Sequence, residues 1–381
     1  MKRRLKIFAA LAAAACITVT AAGCGSSPRN LASLRSNWYA DTTFRDIQPT
    51  FMEDGYADYA ENIVYSIEKT GGNNAYYSVE YTGGIYETTF KAVTFDVENL
   101  THEQFRPAYV SAAENRAITA YYYKTERSFE EVKYTCNGNS ESFTDDCIVT
   151  ECYFLASKDY LRPLYSRQVI KSTTPANLQS GSLDSSYLDI NREQVSYYSY
   201  SGGLVITEII DHAASDAVTT THNDALNSEA NSVFDVCELE ILIRAMNNFS
   251  ASLSQTVALY TPGRGGTGLG NYTLTGSSTG IAAEQLTSIE TVLQGKNLFK
   301  PVITENDDGT TTSSHLSTLA VSVAYNGSLS GVSQTYWFAA VTNARNNTGR
   351  ATMLKKTEPL TYNLGTLEYV IKEINSTFWA E

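Results

Sequence analysis

Apolar and aromatic positions recur at every second residue over long stretches of the chain, and at three- and four-residue spacing in two short ones. Residues 75–95 are the clearest case. Tyr77, Val79 and Tyr81 precede Gly83-Gly84, and Tyr86, Thr88 and Phe90 follow it; one packed and one wet face is the strand signature. Two glycines supply the positive φ of a primed turn. The segment therefore reads as a hairpin setting Tyr81 opposite Tyr86, Val79 opposite Thr88 and Tyr77 opposite Phe90. Its other face would pair Ser78 with Thr89 and Tyr76 with Lys91, and would set Glu80 against Glu87. A second hairpin is predicted over 195–210, turning at Gly202-Gly203 in the similar run Tyr200-Ser201-Gly202-Gly203-Leu204. Strand patterns also cover 116–124, 131–136, 147–156 and 161–171, then 255–260, 271–275, 316–325, 335–342, 350–356 and 364–374. Asn326-Gly327 and 346–349 read as turns, and Asp308-Gly309 as a hairpin bend that lacks the ligand spacing of a calcium loop.

Helical spacing appears at 232–249, where Val233, Val236, Leu239, Ile243 and Met246 line one side and Glu238, Glu240 and Arg244 fall elsewhere. That pattern predicts an amphipathic helix. A weaker helix is expected at 282–293. The fold class is mainly β with a few helices (α+β): an antiparallel curved sheet or half-barrel meander. Residues 46–230 form the meander, and 231–381 contribute the helix and further strands, as a second domain or as part of one continuous sheet.

The first residues change the picture. Lys2, Arg3, Arg4 and Lys6 precede a short apolar run through Ala15, continued weakly to Val19, and small residues lead to Cys24. This order is that of an export signal over 1–23. The run Ala21-Ala22-Gly23-Cys24 resembles the lipobox of bacterial lipoproteins, with Ala21 where that family more often has Leu. The resemblance implies cleavage before Cys24, lipidation of its sulfur, and residence at the extracytoplasmic face of the cell membrane. Two acyl chains hold stably where one binds only reversibly. Residues 24–45 then form the lipidated cysteine and a tether, of which 25–37 would reach about 40 Å when extended.

The chain has 381 residues, with 28 basic against 41 acidic ones and a net charge of −13. Cleavage would remove four cations and no anion, leaving −17. Such a body is repelled by an anionic leaflet, so the lipid alone must hold it. A phosphate-binding surface as main function is excluded, and with it nucleic acid as a partner. Hydrophobic residues at 43% permit a buried core, and 26 tyrosines stand out.

Candidate chemistry is sparse. Cys136, Cys147, Cys152 and Cys237 remain beyond Cys16 and Cys24, and Cys136 and Cys147 flank a polar loop that a local disulfide could close. Free thiols are the competing reading. His212 and His222, with Asp211, Asp216 and Asp224, sit in a polar stretch without metal-ligand spacing. No GxSxG elbow is present, and Cys237 on an apolar helix face reads as core. The run Pro262-Gly-Arg-Gly-Gly-Thr-Gly-Leu-Gly270 lacks the lysine and the following helix of a phosphate loop. Neither catalytic residues, metal ligands nor a cofactor are therefore predicted. Tyr77, Tyr81, Tyr86 and Phe90 are candidates for lining a ligand cavity, against the ordinary alternative that they pack the sheet.

The Tyr-rich meander, the 232–249 helix and the run Tyr160-Leu-Arg-Pro-Leu-Tyr-Ser166 resemble half-barrel envelope proteins of the lipoprotein-carrier type. That resemblance implies antiparallel strands wrapped around helices and a greasy cavity. The expectation is a non-catalytic surface lipoprotein that binds or carries an apolar or glycan ligand. Its alternatives are a structural envelope protein that binds a protein partner, and a hydrolase acting on envelope polymers.

Overall fold

The computed structural model describes residues 60–72, 76–96, 117–157, 160–175, 187–200, 202–212, 217–225, 232–233, 235–245, 254–260, 269–325, 333–342, 349–360 and 363–376. The export signal, Cys24 and the tether lie outside these residues, as do most of the 262–270 loop and the two turns predicted after residues 325 and 345.

The first half supplies β1 (Ala60–Thr70), β2 (Tyr77–Thr82), β3 (Gly84–Asp96), β4 (Ala117–Phe129), β5 (Glu131–Cys136) and β6 (Asn139–Phe143). It continues with β7 (Asp146–Ser157), β8 (Tyr160–Pro175), β9 (Tyr187–Ser199), β10 (Leu204–Asp211) and β11 (Val218–Ala225). Next come β12 (Ser232–Val233), helix α1 (Val236–Ala245), β13 (Ser254–Tyr260), β14 (Leu269–Ser277) and helix α2 (Ala283–Gly295). The chain ends with β15 (Ile303–Glu305), β16 (Thr311–Ser313), β17 (Leu319–Tyr325), β18 (Ser333–Thr342), β19 (Gly349–Pro359) and β20 (Thr366–Ser376).

Fifteen strands form one sheet in the order β11-β10-β9-β8-β7-β4-β3-β1-β20-β19-β18-β17-β14-β13-β12. Every neighbouring pair is antiparallel except β12 with β13. Pairing of β1 with β20 joins the first and last described strands, so both halves of the chain lie in one hydrogen-bonded sheet. The sheet is not closed. Its ends nevertheless approach: the Tyr260 hydroxyl on β13 donates to Asp224 on β11, and Tyr198, Val205 and Tyr260 form one buried cluster.

Helix α1 sits in the hollow of this curve. Asp235 caps it, accepting from the Cys237 amide at 2.8 Å. The Tyr198 hydroxyl of β9 donates to the other oxygen of Asp235 at 3.1 Å. Farther along, Arg244 binds Glu61 of β1 at 2.9 Å and the Ala351 carbonyl of β19 at 3.0 Å. The predicted helix forms, but its charged residues are placed differently from the expectation: Glu238 and Arg244 are buried along with the apolar face, because the sheet surrounds the helix. Ser232 and Val233, expected as its first residues, instead form β12. Helix α2 packs on β20 on the other side of the sheet, where Gln285 binds Lys355 at 2.6 Å and Glu368 at 2.9 Å.

The hairpin predicted at Gly83-Gly84 does not form. β2 pairs with β5 from Tyr77↔Cys136 to Thr82↔Glu131, and β3 pairs with β4 from Ile85↔Ser128 to Asp96↔Ala117. The register is the same on both sides of the glycines. Residues 77–96 are thus one long strand, bent at a corner, on a partner strand bent at Glu130. The arm beyond the corner, β2-β5-β6, forms a separate three-stranded sheet. Gly83 turns the corner at φ +63°, and Gly84 passes so close to Ile67 and Phe129 that an added Cβ would lie 2.8 Å from each. Asn137-Gly138, both at positive φ, makes the hairpin between β5 and β6. At Gly202-Gly203 a hairpin does form, with Leu204 opposite Ser199. The bend at Asp308-Gly309 likewise joins β15 and β16.

Candidate functional site

Inward-facing side chains of β3, β4, β7 and β8 look across α1 toward those of β13, β14 and β17–β20, and a cavity of about 320 Å³ lies between them. Strand alternation selects its wall. On β4, Thr125 and Arg127 face in, while Tyr122 faces out against Tyr153 with ring centroids 5.0 Å apart. That outer ladder continues through Tyr165 to Tyr197, which accounts for several of the tyrosines as packing. On β19, Lys356 faces the cavity and its neighbour Lys355 faces α2.

The wall is mixed rather than greasy. Ile148, Leu239, Leu259 and Val323 give an apolar portion, and Tyr86, Tyr272, Tyr336 and Tyr369 give four aromatic rings. Arg127, Glu240, Lys356 and Glu358 add charge, and Gln168 and Gln334 add side-chain amides. The greasy cavity implied by the carrier resemblance is corrected on this point.

Lys356 is 7% exposed, and its ammonium lies over three rings: Tyr369 at 5.1 Å, Tyr336 at 5.2 Å and Tyr86 at 5.5 Å. A desolvated cation over a ring face is attracted by the ring quadrupole, to the extent of about 2 kcal/mol. Glu358 Oε2 is 3.9 Å from Lys356 Nζ, and Glu358 Oε1 is 3.7 Å from Arg127 Nη1. The Tyr369 hydroxyl donates to Glu358 at 2.7 Å. Burial works to raise the Glu358 carboxyl, but Lys356, Arg127 and that hydroxyl outweigh it and hold it below the ordinary glutamate range.

Glu240 behaves oppositely. Its Oε2 accepts from Tyr123 at 3.0 Å and from Tyr86 at 3.4 Å. Burial pushes its carboxyl above the ordinary range despite Lys356 and the two hydroxyls. Burial also raises the hydroxyls of Tyr86, Tyr123, Tyr336 and Tyr369 well above the usual tyrosine value, so they remain neutral donors.

Of the aromatic residues singled out in the sequence, Tyr86 lines this cavity. Tyr77 and Tyr81 lie on the small sheet, where Tyr81 packs on Phe129 at 4.6 Å, and Phe90 is buried against Tyr121 at 5.6 Å. Cys136 and Cys147 are free thiols, which corrects the local disulfide. Cys136 is buried in the small sheet opposite Tyr77, whereas Cys147 pairs in the main sheet with Ser128 and Lys171. Cys237 is buried on α1 at the cavity wall, and its thiol is pushed well above the usual range by burial. His212 is exposed beyond β10 and His222 lies on β11, away from the cavity. Among the described residues no group of three or more metal-ligating side chains occurs, and no helix is long and apolar enough to cross a membrane.

Arg127, Glu240, Gln334, Lys356 and Glu358 were not visible as a site in the sequence. One signal was available: Glu238, Glu240 and Arg244 interrupt a helix that is otherwise apolar on all sides, and a charge so placed needs a buried partner.

No family model matches the chain, and no curated protein matches it. Among solved structures the chain is similar to a β-barrel-like protein of domain of unknown function DUF1849 from Brucella abortus, with 9% identity over 84% of this chain and 98% of that chain and a TM-score of 0.38.

Proposed function

We propose that the protein is a non-catalytic binding protein, anchored through Cys24 at the extracytoplasmic face of a bacterial membrane, that holds a sugar-sized polar ligand in the hollow of its sheet. The observation that carries this reading is the composition of the cavity wall, where four tyrosines stand beside two side-chain amides and four charged groups. A sugar ring offers an apolar face to stack on tyrosine and a rim of hydroxyls for amides and charges to bind. An acyl chain in the same space would leave Arg127, Lys356, Glu240 and Glu358 desolvated with nothing gained. Among the ligands the sequence suggested, the wall therefore favours a glycan over an apolar one. The volume of about 320 Å³ falls at the lower end of small-molecule sites, about 300–1,000 Å³, which suits one or two sugar rings. The anchor is supported by the charged start, apolar run and Cys24 of the first two dozen residues.

Saturation-transfer NMR of the full chain with a panel of mono- and disaccharides tests the binding. At least one sugar should show transfer, and Gln334→Ala should weaken it about tenfold, as expected for loss of a half-buried hydrogen-bonding group on the cavity wall. A panel without transfer contradicts the reading. Membrane fractionation tests the anchor: Cys24→Ser should release the protein from the membrane fraction, and continued tight attachment would contradict it.

A further inference from the structure

Two cations on the cavity wall share one carboxylate. Arg127 on β4 and Lys356 on β19 flank the two oxygens of Glu358 at 3.7 and 3.9 Å. Both separations are too long for hydrogen bonds, so Glu358 offsets charge without occupying either set of donors. Behind Arg127 stands Asp146, which is not part of the wall; it lies 4.0 Å from Nη2 and accepts a hydrogen bond from Ser172 at 2.8 Å. Arg127 Nε is buried with no hydrogen-bond partner among the described residues. Lys356 Nζ faces its three tyrosine rings and, among the described residues, meets no hydrogen-bond acceptor. A buried donor left without an acceptor costs free energy. Here both cations flank the same carboxylate on the cavity wall, and among the described residues the Lys356 ammonium has no acceptor of its own.

We infer that the ligand is an acidic sugar whose carboxylate accepts hydrogen bonds from Lys356 Nζ and the Arg127 guanidinium while its ring packs on the tyrosines. The inference rests on the sugar-binding reading and specifies it. Directional donors carry it rather than net charge, since Glu358 stands between the two cations, Asp146 lies behind Arg127, and Glu240 is on the same wall. A carboxylate suits the pair because its two oxygens can serve two donors at once. Charge-assisted bonds of this kind are roughly twice as strong as those to a neutral hydroxyl.

Glucuronate against glucose, and galacturonate against galactose, are matched probes in which a carboxylate replaces a hydroxymethyl group on the same ring. Titration calorimetry of the detergent-solubilised full chain should show the acid of one pair binding at least tenfold more tightly than its neutral partner. That ratio should fall toward unity in Lys356→Gln and in Arg127→Gln. Raising the salt concentration should weaken the acid more than the neutral sugar, a readout that needs no variant should either one fail to fold. Equal binding within each pair, or preference for the neutral sugar, overturns the inference while leaving the sugar reading standing. Binding of none of the four overturns both.

Discussion

The chain contains two nearly matching turn sequences, Tyr81-Thr82-Gly83-Gly84-Ile85 and Tyr200-Ser201-Gly202-Gly203-Leu204, and the fold uses them differently. The second closes a hairpin, with Leu204 opposite Ser199. The first bends one long strand around a corner without changing its register. Local turn chemistry is available at both places. What differs is the partner. Residues 117–136 offer residues 77–96 a matching strand along their whole length, and β1 covers the other edge of β3 from Ile67↔Gly84 onward. Folding 75–95 back on itself would give up both ladders for one short one.

The two glycine pairs should therefore respond unequally to substitution. The largest effect belongs to Gly84→Ala, whose Cβ would meet the Ile67 carbonyl, the Ile67 Cβ and Phe129 at 2.8 Å. Overpacking against fixed neighbours should cost about 3 kcal/mol, measured by denaturant unfolding. A loss near that of the next two variants would mean that the corner is not packed. Gly83→Ala and Gly203→Ala should each cost about 1 kcal/mol, the cost of an L-residue in the left-handed region. Gly203 has open space around it, and Gly83 meets only the movable side chain of exposed Glu130. The corner and the hairpin should thus differ at Gly84 and agree at the positive-φ glycines.

A smaller effect comes from the two cavity glutamates, another pair of like groups separated by surroundings. Glu240 has a raised folded-state pKa, so the folded protein binds more protons than the unfolded one, and its contribution to stability is lost as pH rises from the ordinary glutamate value through the raised one. Glu358 has a lowered value, and its contribution is lost as pH falls below the ordinary value through the lowered one. Denaturation midpoints followed across pH should show Glu240→Gln flattening the decline on the alkaline side of the ordinary glutamate value. An unchanged slope would mean that Glu240 titrates in the folded protein as it does in the unfolded chain.

Much of the element map is legible in the sequence, because alternation and glycine or Asx-Gly turns are local properties. The strands at 131–136, 147–156, 161–171 and 255–260 stand at or within a residue or a few of β5, β7, β8 and β13. Pairing is not local. Nothing in residues 75–95 announces that their partner lies at 117–136. The strand β1 ends at Gly71-Gly72, a turn signal of the usual kind, yet no strand is predicted there from the sequence, and nothing near it announces pairing with β20 at the far end of the chain. The site is less legible still. Lys355, Lys356 and Glu358 form a charged run in β19 that resembles a solvated strand end. Both faces of that strand are covered, one by α2 and the other by the cavity, so alternation cannot separate them. Glu240 was hidden in the same way: a charge on a helix normally marks its wet side, but this helix has the sheet around it.

The most direct measurement is native mass spectrometry of the full chain gently extracted from its own membrane. The account predicts a retained mass of one or two sugar rings that is lost in Gln334→Ala, on a protein whose own mass begins at a lipidated Cys24. A bare protein, or one carrying a fatty chain in the hollow of the sheet, would contradict it.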